Sequence, residues 1–457
     1  MSNKPASLGT ESIGKLLLKQ SVPAAIGFLL MSVNMIVDTI FVGQYVGKFG
    51  VGAVGIVTPI TFLISSFGMA IGIGGSSIVS RAFGAGDNDK AQLAFNNQIS
   101  LVLIVISFFT MISFVFQDAI LHLYGAIGEL KEPAAIYYFI TMMGVPFLSL
   151  SMTGNNNLRA EGKATQAMMV LLIPSILNMI LDAIFIGVLD YGIEGAAWAT
   201  SISYFSSGAY IIYYYVAGKA ELKIIPKLFK LKRKIISEIS GIGAVSIVRQ
   251  GSISILAILL NQTLIIYGEK NGIGGENAVS AYAIASRISM FAFFPLIGIA
   301  QGLVPIAGYN YGAQKFDRVK EVIRLSNIWG FCIACGLCSL LLIFSNSIPY
   351  LFVDESSLDI IPITADAIFY IFMASFLVVY QLVGASYYQA LGKAIPALLL
   401  TLTKQLFFLV PFIFILPPFF GLDGIWYSFT LADILSAAVC FYFLQVGLKK
   451  MMRKGVV

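Results

Sequence analysis

Two ten-residue segments repeat one arrangement of an amide and a carboxylate. Asn34 to Gly43 reads NMIVDTIFVG and Asn178 to Gly187 reads NMILDAIFIG, with seven identical positions. Each asparagine precedes its aspartate by four residues, so in a helix both side chains lie on one face. Close carboxylates in a poorly solvated pocket repel each other and can exchange a proton, whereas carboxylate, amide and hydroxyl oxygens together suit a small cation such as Na⁺. The spacing predicts a cation site and leaves H⁺ and Na⁺ both open.

The elements that position these residues are predicted to cross a membrane. The 457-residue chain is 58% hydrophobic and only 11% charged, against about 25% charged residues in soluble proteins. Apolar runs of roughly 20 residues recur throughout, which is the length of a membrane-spanning helix. We therefore predict an all-α integral membrane protein with twelve transmembrane helices. The predicted spans are 18–44, 50–80, 95–117, 134–157, 165–189, 193–217, 238–267, 279–308, 321–347, 361–390, 395–417 and 424–447.

Basic residues predict the orientation, because Lys and Arg collect in cytoplasmic loops. With both ends inside, 23 of the 29 Lys and Arg residues fall on the inner side, and only Lys48, Lys131 and Lys270 fall outside. Both termini are therefore expected in the cytoplasm. The basic run from Lys227 to Lys234 is interpreted as a cytoplasmic linker near anionic lipid headgroups, not as a nucleic-acid site.

Three short matches predict an internal duplication. Gly84, Gly162 and Gly192 correspond to Gly312, Gly392 and Gly421, at offsets of 312 − 84 = 228, 392 − 162 = 230 and 421 − 192 = 229. Six helices per copy gives parallel repeats related by a pseudo-two-fold axis, and such proteins place substrate between or within the halves. We predict an N-lobe at 1–217, a linker at 218–237 and a C-lobe at 238–457.

Both aspartates fall in the N-lobe, on helices predicted to run outward. Each lies six or seven residues before its outer end, which is roughly 10 Å below the surface. Asn34, Asn178, Asn155 and Thr200 could complete one polar pocket around the two aspartates, Asp38 and Asp182. The alternative is that each aspartate only serves helix packing, satisfied by its asparagine. A charge at the bilayer centre costs ~2.5 to 3.5 kcal/mol and normally marks an ion or proton pathway, so the site is favoured.

Four further charged residues are predicted within C-lobe spans: Arg249, Arg287, Lys404 and Asp433. We expect ion pairing or snorkelling, with Lys404 and Asp433 as one pair. Flexible methionines and aromatic rings are suited to binding varied cations. The substrate-cavity candidates, chosen by depth, are Met31, Met35, Met69, Met290, Phe291 and Tyr380.

Longer motifs resemble one transporter family. The segments VDTIFVGQYVG, GIGGSSIVSRAFGAGD, LRAEGKATQAM and LPPFFGLDGIWYSFTLADILSA look like the multidrug and toxic compound extrusion (MATE) family, in particular its bacterial DinF-like and MepA-like branches. The resemblance covers nearly the whole chain. It implies two six-helix bundles around a central cleft and export of organic cations driven by inward H⁺ or Na⁺. It also implies a multi-pass protein of a prokaryotic plasma (inner) membrane, and we expect a monomer whose only cofactor is the coupling ion.

The resemblance assigns roles to particular residues. The family's N-lobe cation site falls on Asp38, Asn178, Asp182 and Thr200, which would also be the ligands of Na⁺, with Asn34 and Asn155 as neighbours. The proline at which the first helix bends in that branch would be Pro23. A second branch uses C-lobe acids, but the seventh helix has none here. A flippase for lipids or oligosaccharides remains the alternative function. An enzyme is not expected, since the chain has one histidine and no ligand motif.

Overall fold

A computed structural model describes residues 7–218, 220–352 and 360–454, and the regular elements in these ranges are all helical. Twelve long helices follow one another along the chain, with the short helix Gln117–Leu123 between the third and fourth. The long helices are α1 Ile13–Val46, α2 Lys48–Gly84, α3 Asn88–Val115, α4 Gly128–Ala160, α5 Ala164–Val188, α6 Gly192–Val216, α7 Arg233–Lys270, α8 Gly275–Gly312, α9 Phe316–Ile343, α10 Ile360–Ala390, α11 Ala394–Phe420 and α12 Leu422–Arg453.

These helices confirm the all-α membrane class. Within the described ranges, eleven helices are long and apolar enough to span a bilayer. The exception is α6, whose 25 residues include Thr200, Ser201, Ser203 and Ser207. All four are buried, because α6 packs against α4 and α5. A helix shielded from lipid by its neighbours can carry hydroxyl groups, which bond back to the helix, as the Ser203 hydroxyl does to the Ala199 carbonyl at 2.7 Å.

Contacts divide the chain into two units. Unit 1 comprises residues 1–11 and 26–247, and unit 2 comprises residues 12–25 and 248–457. Two continuous helices are therefore shared. The first turns of α1 belong to unit 2 and its remainder to unit 1, while α7 changes unit between Ile247 and Val248.

Unit 1 is packed through small residues that let helix backbones approach closely. A Cβ atom on Gly68 would lie 2.7 Å from the backbone oxygen of Ser149, and the Thr153 hydroxyl donates to the Gly68 carbonyl at 2.8 Å. These contacts join α2 to α4. Similar close approaches join α4 to α6 at Gly144 and Ser201. The three helices therefore pack closely together, and α5, which carries Asp182, packs against α4 and α6.

The start of the predicted linker is fixed to unit 1 by side-chain amides of α3. Asn96 accepts a hydrogen bond from the Ile225 amide at 2.7 Å, and Asn97 accepts one from the Lys232 amide at 2.6 Å. Gln92 bonds both the amide and the carbonyl of Lys223. The backbone of this segment is therefore held in place while its lysines are exposed.

Unit 2 contains a buried ion pair, which confirms the predicted pairing of Lys404 with Asp433. The ammonium nitrogen of Lys404 lies 2.5 Å from Asp433 Oδ1, and Asp433 is fully buried. The Ser375 hydroxyl donates to the other carboxylate oxygen at 2.9 Å. Lys404 lies in a π-helical turn of α11, Thr403–Leu409, and Ser375 in a 3₁₀ turn of α10, Ser375–Leu377. Irregular turns in two helices thus converge on one carboxylate of α12.

Candidate functional site

The two copies of the repeated motif meet in unit 1. The Asn34 amide nitrogen donates to Asn178 Oδ1 at 2.6 Å, which joins α1 to α5. The Asn178 amide in turn donates to Asp182 Oδ1 at 3.5 Å. Asn178 and Asp182 are buried. The structure thus brings together Asn34, Asn178 and Asp182, as the sequence predicts.

Asp38 and Asp182 lie within interaction distance of each other. Two carboxyl groups can share a hydrogen bond only when one of them carries a proton. One oxygen of each group, Asp38 Oδ1 and Asp182 Oδ2, is buried and has no hydrogen-bond partner among the described residues. Buried acceptors of this kind are costly when left unpaired, so the pocket retains capacity to bind a proton or cation.

Each acid is followed by a π-helical turn. In α1 this turn is Val42–Val46, which ends at Gly47 with φ of 85°, and in α5 it is Ala183–Val188, which begins directly after Asp182. The repeated motif thus produces a repeated local structure. Single π turns inside α-helices are frequent at functional sites, because they shift the register of the side chains that follow.

Thr200 of α6 and two tyrosines surround the acid pair. Thr200 Oγ1 lies 3.4 Å from the Tyr137 hydroxyl of α4. Tyr137 and Tyr204 are both close enough to Asp38 to interact with it electrostatically. Neither tyrosine was a sequence-based candidate. Tyr204 follows Thr200 by four residues and so shares its helix face, a signal that could have found it; nothing in the sequence marks Tyr137.

Asn155 is not brought to this pocket. Its amide nitrogen donates to the Ala167 carbonyl at 2.5 Å, and its oxygen accepts from Arg159 Nε at 3.1 Å. Ala167 precedes Asp182 by fifteen residues of α5, which is roughly 22 Å along the helix. Asn155 therefore ties the C-terminal part of α4 to the N-terminal part of α5, and its amide is already occupied there.

Pro23 lies inside α1, which is helical on both sides of it. Proline removes one backbone hydrogen bond from a helix and weakens it locally. The boundary between the units falls three residues later, between Ala25 and Ile26. In unit 2, Ser21 and Ala25 lie against Gly298 of α8, where an added Cβ would approach their backbone atoms within about 3 Å.

The predicted substrate-cavity residues divide between the units. In unit 1, Met35 is exposed and Met31 and Met69 are half-buried. In unit 2, Met290 and Phe291 are exposed, whereas the Tyr380 ring contacts the rings of Phe331 and Phe441. The exposed members remain available to a ligand, and Tyr380 is partly engaged by its aromatic neighbours.

A helical membrane protein with a buried, incompletely satisfied acid pair is typical of membrane transporters. Comparison with known proteins agrees. The MatE family model matches residues 23–184 and again 254–415, so the chain belongs to the MATE family. The two matches are offset by 254 − 23 = 231 residues, which confirms the duplication.

Individual relatives match over nearly the full length. The chain is 26% identical over 435 residues to the multidrug export protein MepA of Staphylococcus haemolyticus, covering 94% of this chain and 93% of the relative. Two solved MATE structures, in the bent and in the straight conformation, superpose with TM-scores of 0.92 and 0.91, each at 26% identity. Coverage is 100% of both chains for the bent form and 99% of both for the straight form. These matches confirm that the chain is a transporter and not an enzyme.

Proposed function

We propose that this protein exports small organic cations from a bacterial cell in exchange for an inward-moving ion bound between Asp38 and Asp182. The observation that carries the proposal is the pair itself: two carboxyl groups in contact within the membrane, each with one unsatisfied oxygen. Intramembrane acids are rare and mark ion pathways. The relatives named for multidrug export support the substrate class.

The coupling ion of this proposal is H⁺. Two adjacent carboxyl groups can share one proton, and Asn178 and Asn34 extend the chain of hydrogen bonds to α1. Na⁺ would instead need both groups ionised, with oxygen ligands from Asn178 and Thr200 as well. We therefore propose H⁺ as the coupling ion and test Na⁺ as the alternative.

Loading and release of the ion would change the balance between inward-facing and outward-facing states, since ion and drug bind the two states with different affinities. Pro23 is the proposed point at which α1 responds. The bent and straight forms of the solved MATE relatives support such a change. We further propose a plasma-membrane monomer with both termini in the cytoplasm.

Everted vesicles containing the protein test the function directly. Uptake of ethidium is measured with a pH gradient and a Na⁺ gradient imposed separately. We expect uptake under the pH gradient, and its loss in Asp38→Asn and Asp182→Asn. The matched control is Asp190→Asn, the same chemical change at an exposed residue just beyond α5, and it should retain uptake.

Each outcome has one meaning. Uptake driven only by Na⁺ would replace H⁺ by Na⁺ at the same pair. Normal export by a well-expressed Asp38→Asn, Asp182→Asn double variant would refute the role of the pair. Absence of uptake under both gradients, with the protein present, would favour the flippase and make a labelled phospholipid the next substrate.

A further inference from the structure

The charges away from the helix ends differ in sign between the units. Asp38 and Asp182 are the acids of the unit 1 site. Unit 2 has Arg249 near the middle of α7 and Arg287 about a third of the way along α8, apart from the Lys404–Asp433 pair, which neutralises itself. Another acid of unit 2, Asp366, lies near the start of α10.

Arg249 and Arg287 both lack a counter-ion in the described part of the chain. Their side chains form no ion pair or hydrogen bond with any residue there. Arg287 lies twelve residues into α8, roughly 18 Å from that helix end. An unpaired charge at such a depth is costly if it faces lipid, so such residues normally face a water-filled cavity or a ligand.

Arg287 lies on an exposed face of α8. The opposite face is packed into the core of unit 2 through a regular stripe, formed by Ala278, Ala281, Ala285, Ile288 and Ala292. Ser280 stands seven residues before Arg287 and Phe291 four residues after it, so all three share one face. Ser280, Ala283 and Phe291 are exposed. The guanidinium group therefore has small neighbours on one side and an exposed aromatic ring one turn away.

Arg249 of α7 differs from Arg287 in being half-buried. Its neighbours Gln250 and Gly251 are exposed, but they lie on other faces of α7. The carboxylate site is therefore argued from Arg287.

We propose that Arg287 binds an anionic group, a carboxylate, that the transported molecule carries beside its cationic centre. The planar guanidinium fork matches a carboxylate in geometry and charge, and the Phe291 ring can stack on an aromatic substrate. This inference rests on the proposed function, because it names a second group that the exported cation carries.

Two dyes that differ at one position test it. Rhodamine 19 has a free carboxylate, and rhodamine 6G is its ethyl ester with the same cationic ring system. Uptake of each into everted vesicles is measured over a range of concentrations. In Arg287→Gln we expect the KM for rhodamine 19 to rise about tenfold or more with kcat unchanged, since one charge-assisted contact is lost. Rhodamine 6G should keep both constants.

Two variants serve as controls. Arg287→Lys keeps the charge but not the fork and should give a smaller rise in KM for rhodamine 19. Arg324→Gln removes an exposed cation near the start of α9 and should change neither dye. Should Arg287→Gln not fold, the wild-type protein still decides the matter: export of rhodamine 6G but not of rhodamine 19 would overturn the inference.

The other outcomes are also separable. Equal effects of Arg287→Gln on both dyes, or no effect on either, would overturn the carboxylate site while leaving cation export intact. If Arg287→Gln loses phospholipid that co-purifies with the wild type and does not discriminate between the dyes, Arg287 binds a lipid headgroup. That result would also overturn the carboxylate site. Failure of the wild type to take up rhodamine 6G under any gradient would instead refute the proposed function.

Discussion

Asn34 and Asn178 are hydrogen-bonded to each other at 2.6 Å, so the two copies of the repeated motif are joined directly by their asparagines. The amide of Asn34 is half-buried in α1, and Asn178 is buried in α5. Since Asn178 also donates to Asp182, the position of α1 is coupled to the acid pair through one side chain. A movement of α1 would therefore alter the position of the Asn178 side chain and its hydrogen bond to Asp182.

A double-mutant cycle on this contact should give a measurable coupling. Asn34→Ala leaves Asn178 Oδ1 without its donor, which costs about 1 to 3 kcal/mol for a buried acceptor. Asn178→Ala should cost at least as much, because it also removes the donor to Asp182. The double variant should be less destabilised than the sum of the single ones by about 1 kcal/mol, read from guanidinium unfolding in detergent. Strict additivity would mean that the contact is absent in solution.

The Lys404–Asp433 pair predicts an asymmetric response to substitution. Lys404→Met leaves a fully buried carboxylate without its cation, which should cost about 3 kcal/mol or more of unfolding free energy. Lys404→Met with Asp433→Leu removes both charges and should recover most of that loss. Unfolding in guanidinium measures both. A double variant as unstable as Lys404→Met would show that Asp433 stabilises unit 2 through Ser375 instead.

Much of this architecture could be predicted from residue order alone. Apolar runs place the helices, and a charge inside such a run needs a partner, which is how Lys404 and Asp433 could be paired in advance. The π turns after Asp38 and Asp182 could not be predicted, since α and π turns draw on the same residues. The prediction that Asn155 joins the acids rests on the asparagine run at 155–157 near the end of the fourth helix and on the family resemblance. The Asn155 amide instead bonds to Ala167, and this contact is set by how α4 packs along α5. The residue types in the two helices do not specify that packing.

Gly74 and Gly251 form a matched pair of helix glycines with opposite expected effects. A Cβ on Gly74 of α2 would collide with the backbone carbonyl of Ile239 in α7, and a backbone cannot move aside as a side chain can. Gly74→Ala should therefore destabilise unit 1 by about 1 to 3 kcal/mol. Gly251→Ala meets open space and should be neutral or stabilising by up to ~1 kcal/mol, because alanine is the better helix former. Thermal unfolding in detergent separates them, and equal melting temperatures would contradict the close approach.

Glu161 predicts a pH dependence of stability outside the membrane-spanning segments. It follows α4, and burial raises the pKa of its carboxyl group above the usual 4.5, against the opposing effects of Lys163 and the Glu221 and Leu222 amides. Folding therefore favours the protonated form, so its contribution is fully present below pH 4.5 and is lost as the pH rises through the raised pKa.

Glu161→Gln isolates this effect, because the amide cannot ionise but keeps an oxygen for the Glu221 N–H, which lies 3.1 Å from the carboxylate. The melting temperature of the wild type should fall, relative to that of Glu161→Gln, as the pH is raised from about 4.5. Glu132→Gln, at an exposed acid in the first turn of α4, should follow the wild type across the same range. Parallel curves for the wild type and Glu161→Gln would mean that the ion pair with Lys163 balances the effect of burial, because only such a balance leaves the proton affinity of this carboxyl group unchanged by folding.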